Sequence, residues 1–497
     1  MIQQLKKTSL FILILFLTNQ LTMAQTNYES LWKNITKLEN EGKTKDAKDA
    51  TEIIIIKARS EKNTTQTIKA LLYKYRFDMV LEENSELKIV EGLKAEIQLS
   101  TGTDKAILQS ILAELYFQYF QENSWKFSNR TETDEKQSDD FRTWDLKTLF
   151  KEINTYYSAS LENKSLLQQT KLETITPILE MQKGSQVFRP TLYDLLANRA
   201  IDYFNNDKSN LAEPSNAFAI DDKKYFAKAS EFVSIKLNDS DPNSQDYNAL
   251  KIFQDLLKFR MNDKSNLDAL ADADLKRLQF VKEHYYNKED NEALYFEALN
   301  NIKNEHTTSK VGATINYEIA KYIFEKANEK NNNQNFKAID AIALIDETIA
   351  KYPDTEGAKN CAALKQSIVE KDLKLTTEET VVPNEPFKVL VNYKNLNKVY
   401  FKIVPVEFKD KDKIFSIKEK ETQQDVLNRL NAIGAVKIWN INLPATDDYL
   451  AHSTELKVDG LKQGYYVLMA STDDKFLTST GSNAVAITTF FSSQISY

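Results

Sequence analysis

The sequence predicts a multidomain protein in which an irregular, tetratricopeptide-like array of helices is followed by one antiparallel β-sandwich. Apolar residues recur at a spacing of three to four as far as about residue 373, and at a spacing of two beyond it. Turn-forming residues change at the same point. Residues 25–373 contain six Gly and five Pro, whereas residues 374–497 contain four of each in a much shorter stretch. We therefore expect a helical repeat-like domain over 25–373 and a sandwich domain over 374–497.

The first 24 residues predict a secretory signal peptide. Lys6 and Lys7 precede an apolar run over residues 10–17, and Thr22-Met23-Ala24 offers small residues at the cleavage site. The apolar run is too short to span a bilayer stably, and no Cys at the site offers a lipid anchor. We expect an exported chain, periplasmic or extracellular and not lipid-anchored. An ordinary N-terminal helix is the alternative interpretation.

The composition excludes several classes of protein. A hydrophobic fraction of 42% is enough to build packed cores. The net charge of −7 comes from 65 basic and 72 acidic residues without a basic block, which argues against a nucleic-acid partner. No long apolar run follows the signal peptide, so we expect no membrane span in the mature chain. The single Cys cannot form an internal disulfide.

The first helices of the array read as a hairpin. Leu31, Ile35 and Leu38 share one helix face that ends at Gly42. Residues 43–46 then lead into a second helix with the small residues Ala47, Ala50 and Ala58. The same pattern returns at 338–352 and 357–370. Repeat lengths are irregular, so the array is expected to be degenerate. Further helices are predicted at 68–80, 106–121, 146–161, 192–204, 225–237 and 247–260, with loops at 129–140 and 328–335.

Alternating apolar residues predict strands of the sandwich at 387–393 and 399–403, and a third strand follows at 439–443. Leu456 and Val458 lead into a turn, a buried strand is predicted at 465–470 and another strand at 484–490, with a short helix at 421–433. Several short strands separated by turn residues within about 120 residues are typical of a small antiparallel sandwich.

Four groups of residues give the chain a resemblance to a known family. It resembles the N-terminal region of bacterial alpha-2-macroglobulin family proteins, particularly the large versions of Bacteroidetes-type bacteria. The resemblance implies that the sandwich is a macroglobulin-type domain and that the complete protein would trap proteases. The residues are 113–120 continued by Trp125, Lys126, Arg130-Thr-Glu-Thr133 and Arg142-Thr-Trp-Asp-Leu146; Arg189-Pro-Thr-Leu-Tyr-Asp194 followed by Asn198-Arg-Ala200; Tyr352-Pro-Asp-Thr-Glu-Gly-Ala358; and Leu443-Pro-Ala-Thr-Asp447 with Leu461-Lys-Gln-Gly-Tyr-Tyr466.

Two features of that family, the thioester segment and the bait region, are not found in this sequence. Some members carry a thioester in a Cys-Gly-Glu-Gln segment, but Cys361 is followed by Ala-Ala-Leu-Lys-Gln, and no bait region is recognisable. We therefore expect no thioester and no protease trapping by these residues alone. The end of the sequence at Tyr497, directly after a strand, leads us to expect a fragment of a longer protein.

No catalytic, cofactor or metal site can be assembled from the sequence. Cys361 lies on an apolar helix face and is expected to pack in a core. His284, His306 and His452 are far apart and lack zinc-site spacing. A Gly-x-Ser-x-Gly elbow and Gly-rich phosphate loops are absent. We therefore expect a non-enzyme without a cofactor.

The aromatic residues 116–127 and the charged segment after them form the candidate partner-binding site. Trp125, Arg130, Arg142 and Trp144 are the candidate contact residues. Two interpretations stay open. Tyr116, Tyr119 and Phe120 share a helix face that favours a core, and the charged residues 130–142 form either an ion-paired clasp or a partner-binding loop.

These observations leave three functions. The first is the non-catalytic N-terminal scaffold of an alpha-2-macroglobulin-like protein, whose partners would be proteins, including a protease bound by the complete assembly. The second is a self-contained periplasmic interaction module built on helical hairpins. The third, an exported hydrolase, is the weakest.

Overall fold

The computed structural model describes residues 28–494, apart from 128–129, 131–137, 182–183, 207–217, 239–240, 242–243, 330–334, 420, 445 and 478–482. The predicted signal peptide lies outside the described residues. The chain divides into two compact units, Met1–Ala298 and Leu299–Tyr497. Helices come first and strands follow, as the spacing of apolar residues predicts.

The helices occupy the chain up to Val369. Most of the predicted helices are confirmed, and α4, α7 and α11 to α13 lie between them. The bounds are α1 (28–40), α2 (Thr44–Ser60), α3 (Thr64–Leu81), α4 (Ser85–Leu99), α5 (Gly102–Phe127), α6 (Leu146–Ala159), α7 (Lys164–Gln169), α8 (Leu192–Phe204), α9 (Ala229–Phe232), α10 (Gln245–Asn262), α11 (Leu267–His284), α12 (Asn291–Glu305), α13 (Gly312–Ala327), α14 (Ala338–Lys351) and α15 (Glu356–Val369).

The first two helices form the predicted hairpin. Gly42 adopts a left-handed φ of +71°, which favours glycine and ends α1. Tyr28 at the start of α1 donates a hydrogen bond of 2.5 Å to Glu61 just after α2, so the two helices run antiparallel. The helix α2 buries Ala47 and Ala58, whose small side chains allow a close approach.

The predicted helix at 225–237 is wrong. A 3-10 turn at Lys223–Phe226 and the single turn of α9 replace it. Three carbonyl groups of this segment accept hydrogen bonds from side chains of other helices. Arg277 donates to the Tyr225 carbonyl at 2.6 Å, and Gln254 donates to the Phe232 and Ile235 carbonyls at 3.0 and 2.8 Å. These tertiary hydrogen bonds replace the helical ones that the apolar spacing predicts.

A buried ionic network fixes the start of α8. Thr191 and Asp194 form a capping box there. Arg260 of α10, itself fully buried, donates from Nε to Asp194 at 2.9 Å and from the terminal nitrogens to Asp194, Thr191 and Asp263. The segment Arg189-Pro-Thr-Leu-Tyr-Asp194 therefore has two roles. It caps the start of α8, and its Asp194 carboxylate pairs with Arg260 of α10.

In the second unit, α13 and α15 pack closely at a glycine. A Cβ on Gly357 would lie 2.4 Å from the backbone carbonyl carbon of Ala313. Only a residue without a side chain fits between the two backbones. Cys361, Ile345 and Ile368 are buried in the core beneath this contact.

The sandwich consists of two sheets with strand orders β1-β3-β6 and β2-β8-β7-β4-β5. Its pairings are antiparallel except one: β2 runs parallel to β8, so the prediction of a wholly antiparallel sandwich is wrong there. The chain passes from one sheet to the other between β1 and β2, which two residues separate. The strands are β1 (Asp372–Thr377), β2 (Thr380–Val381), β3 (Phe387–Lys394), β4 (Lys398–Val406), β5 (Lys437–Asn442), β6 (Ala451–Val458), β7 (Gly464–Ser471) and β8 (Val485–Ser492).

Two short helices, α16 (Lys411–Phe415) and α17 (Gln423–Asn431), follow β4. The predicted helix at 421–433 is thus confirmed. Val426, Leu427 and Leu430 of α17 pack with Val467 and Met469 of β7 in a second apolar cluster, apart from the main core between the sheets.

The turn between β3 and β4 holds the end of α15. Asn395 adopts a left-handed φ of +57°, and its side-chain amide donates to the carbonyl oxygens of Ile368 at 2.9 Å and Glu370 at 3.0 Å. Lys394 donates to the Ser367 carbonyl at 2.8 Å. These bonds satisfy carbonyl groups that the helix end leaves without helical partners. Within this unit, the last helix is therefore joined to the sandwich by specific hydrogen bonds.

Candidate partner-binding site

The aromatic side chains of α5 form a core. Tyr116 and Phe120 are fully buried, and Tyr116 lies 5.1 Å from Phe141 and 5.8 Å from Trp144 between ring centroids. Phe120 contacts Phe150 of α6 at 5.0 Å in an edge-to-face arrangement. Burial raises the pKa of the Tyr116 hydroxyl well above its usual range. The core interpretation of this helix face is thus confirmed.

The end of α5 departs from that core at a kink. Asn123 has non-helical backbone angles, and its side-chain amide donates to the Tyr119 carbonyl at 2.9 Å. Beyond the kink, the Trp125 side chain is 70% exposed, and the Lys126 ammonium lies 5.4 Å from the centroid of its ring. A large aromatic surface and a cation are therefore presented side by side.

Arg130 binds the backbone around the 3-10 turn at Phe141–Thr143. Its guanidinium donates to the carbonyl of Trp144 at 2.5 Å and to that of Arg142 at 2.7 Å. It also lies 4.5 Å from the ring centroid of Phe127. These contacts engage both the charge and the planar face of Arg130 within the protein.

Arg142 forms an ion pair with Asp140. The contact is bidentate, from Nε at 2.9 Å and from a terminal nitrogen at 2.8 Å. This hydrogen bonding lowers the pKa of the Asp140 carboxyl and raises that of Arg142. The pair matches the clasp interpretation for this part of the segment. Glu132 lies outside the described residues.

The four candidate contact residues therefore differ in how much of each side chain is exposed and in the contacts each makes within the protein. Trp144 is buried in the aromatic core and donates from its indole nitrogen to the Ser138 carbonyl at 2.6 Å. Arg130 and Arg142 bind neighbouring groups, and Trp125 has the exposed surface. A partner-binding role stays a prediction for all four. The sequence does not reveal the kink, because Asn123 is only one of four polar residues between Phe120 and Trp125.

The remaining reactive side chains are placed as follows. Cys361 is fully buried, and burial raises the pKa of its thiol to about 11. His284 lies between Asp246 at 2.8 Å and Asn205 at 3.2 Å, and His452 lies 3.0 Å from Asp448. Across the described residues, no group of three or more His, Cys, Asp or Glu side chains is placed to hold a metal ion.

Comparison with known proteins adds no family. No protein-family model matches the chain, and no curated protein matches its sequence. Among the described helices, none is both long and apolar enough to cross a membrane.

Proposed function

We propose that this chain is the non-catalytic N-terminal scaffold of an exported alpha-2-macroglobulin-like protein, whose complete form traps proteases. Its support is the set of segments that resemble that family, together with the order of helices followed by a sandwich. The sandwich would then be a macroglobulin-type domain, and the helices before it a tetratricopeptide-like array.

The junction between α15 and the sandwich is the observation that carries the proposal. A scaffold has to hold its parts in a fixed relation, and flexible linkers do not do so. Here only two residues separate α15 from β1, and Asn395 and Lys394 bond to the carbonyl groups at the helix end. The last helical hairpin is therefore a rigid extension of the sandwich within its unit.

The first test measures protease inhibition. The purified mature chain is mixed in turn with each protease of a panel. A protein substrate is then added that is too large to reach the active site of a trapped protease. The scaffold proposal predicts that substrate cleavage proceeds at the rate seen without the chain. Stoichiometric protection of the substrate by these residues alone would contradict it, because the trap would then lie within them.

The second test measures the size of the native product. Extracts of source cells are blotted with an antibody raised against residues 25–373. A band several times larger than 57.2 kDa supports the scaffold proposal. A band just below that mass contradicts it and favours a self-contained interaction module.

The exposed Trp125 favours the interaction module as a second candidate function. Exposed aromatic residues beside a cation are frequent at the centres of protein interfaces. A photo-crosslinking residue at position 125 should then capture a specific partner in the periplasm. The same residue at Leu99, which is also exposed, is the matched control. Equal capture at both positions would mean that position 125 has no special role.

A further inference from the structure

One strand of the sandwich has an open hydrogen-bonding edge. β5 is the last strand of the five-stranded sheet and pairs only with β4. In an antiparallel pair, every second residue hydrogen-bonds to the neighbouring strand. Leu443 donates to the Asn397 carbonyl at 2.9 Å, so Leu443 and the residues at even spacing from it are the ones that bond to β4. The odd-numbered residues of β5 bond to β4, so Ile438, Asn440 and Asn442 direct their N–H and C=O groups away from the sheet. No described residue bonds to these groups.

The two edge strands of the three-stranded sheet carry charged residues on their exposed faces. β6 has Glu455 and Lys457 there, and β1 has Asp372 and Lys374. Charges of this kind are a common means of preventing strand addition at an edge. On β5 the exposed positions are Ile438, Asn440 and Asn442, none of them charged. The charged residue of β5, Lys437, is ion-paired with Asp459.

The surface beside this edge is apolar at one end and positive along its length. Ile438 is 67% exposed and Val436 is 52% exposed. In the neighbouring strand, Lys398 and Lys402 lie opposite Asn442 and Ile438. Within the described part of the chain, neither Lys is paired with a carboxylate: Lys398 lies 4.8 Å from the ring centroid of Tyr400, and Lys402 bonds to Asn431.

We propose that β5 binds an extended acidic segment of a partner protein, which adds to the sheet as a sixth strand. The open N–H and C=O groups would pair with the backbone of the segment, as in other strand-addition complexes. A carboxylate on the segment would reach Lys398 across the short Asn442 side chain, and an apolar residue would cover Ile438. This inference does not depend on the scaffold function.

A second copy of the chain fits this edge less well. Pairing two β5 strands would bring Lys398 and Lys402 of both copies to the same side of the joint, where like charges repel. Stable interfaces between proteins bury more than about 1,000 Å². An edge of six residues offers little area towards that total. The charge and the size both favour a peptide segment.

The test uses the full chain and a fluorescent peptide that alternates glutamate and valine, with binding followed by fluorescence anisotropy. We expect saturable binding that weakens as salt is added, because the attraction of charged groups is screened. A peptide that alternates lysine and valine should bind at least about tenfold more weakly. The acidic peptide with methylated backbone nitrogens on alternate residues should not bind, since it cannot donate to the edge.

Two variants locate the binding at β5. Asn440→Pro removes an outward N–H without removing a hydrogen bond to β4, so it should abolish binding while the fold, checked by circular dichroism, is kept. Asn440→Thr keeps the N–H and is the matched control. Lys398→Gln should weaken binding about threefold or more, whereas the same change at Lys388 of the other sheet should not.

Several results would overturn the proposal. Unchanged binding by Asn440→Pro, or by the methylated peptide, would show that the peptide does not add to this edge. Equal binding of the acidic and basic peptides would remove the charge argument, and no binding at all would refute the site. A concentration-dependent dimer that Asn440→Pro abolishes would assign the edge to a second copy.

Discussion

The interiors of the helical region and the sandwich differ in the polar groups that they bury: charged pairs in the first, and hydroxyl groups in the second. The helical region buries Arg260 with Asp194 and Arg277 with Asp274, all almost completely. The buried polar residues described in the sandwich are Ser471 and Ser492, and its clusters are otherwise apolar. Strands satisfy each other's backbone groups in a ladder. The irregular segments between helices leave carbonyl groups, such as that of Tyr225, which need donors from elsewhere.

This difference predicts which substitutions destabilise each region most. Removing one partner of a buried ion pair leaves an uncompensated charge in the interior, whereas removing a methyl group from an apolar core leaves a small cavity. The helical region should therefore tolerate the loss of its buried Arg less well than the sandwich tolerates trimming of its core. The following substitutions test that comparison.

The largest effect is expected for Arg260→Met. It leaves Asp194 buried without its cation, and we expect a loss of about 3–5 kcal/mol in the free energy of unfolding. Urea unfolding followed by circular dichroism measures it. Lys388→Met, which breaks an exposed pair with Glu455, is the control and should leave the free energy of unfolding nearly unchanged. Similar losses for both variants would show that the buried network contributes little.

Gly357→Ala should come next. The added methyl group would overlap the backbone of Ala313, so α13 and α15 must separate, at an expected cost of about 1–3 kcal/mol. Gly434→Ala is the matched control, because nothing lies within 4 Å of its Cβ position. Thermal unfolding distinguishes the two. A melting temperature unchanged by Gly357→Ala would mean that the helices do not approach this closely.

Ile403→Val should have a smaller effect in the sandwich. Ile403 is fully buried between the sheets, and the lost methyl group should cost about 0.5–1.5 kcal/mol. Ile438→Val removes the same group from an exposed position and should leave stability nearly unchanged. The urea midpoints of both variants measure this difference. A loss at Ile403 as large as that of Arg260→Met would contradict the comparison between the regions.

The smallest signal is expected from the thiol of Cys361. Burial raises its pKa to about 11, so at pH 8 it stays protonated as well as inaccessible. Ellman's reagent should react with it very slowly in the native chain. In urea the thiol recovers its ordinary pKa and should react at once. Rapid native labelling would mean that α15 opens readily from the core.

Sequence periodicity predicts the two regions to different extents. The alternation of apolar and polar residues identifies β3, and a short continuous apolar run identifies β7 as a buried strand. The two-residue β2 has no period to detect, and the segment at 225–237 has the spacing of a helix without forming one. Its shape depends on Arg277 and Gln254, which are distant in sequence. Local patterns contain no information about such donors.

The candidate site shows the same limit. The helical spacing of Tyr116 and Phe120 predicts a core because both lie on one face of α5. Trp125 and Trp144 cannot be told apart from the sequence, since both stand in polar surroundings. Their different exposure follows from the kink at Asn123 and from the hydrogen bonds of Arg130 to the loop backbone.

The Asn395 contact at the end of α15 also has a mechanical consequence. A pulling force between the last hairpin and the sandwich would load the bonds from Asn395 and Lys394 in parallel with the two-residue connection to β1. The helix cannot swing away from the sheet until those bonds break together. The junction therefore behaves as a stiff joint that transmits torque, and a rotation of the hairpin would turn the sandwich with it.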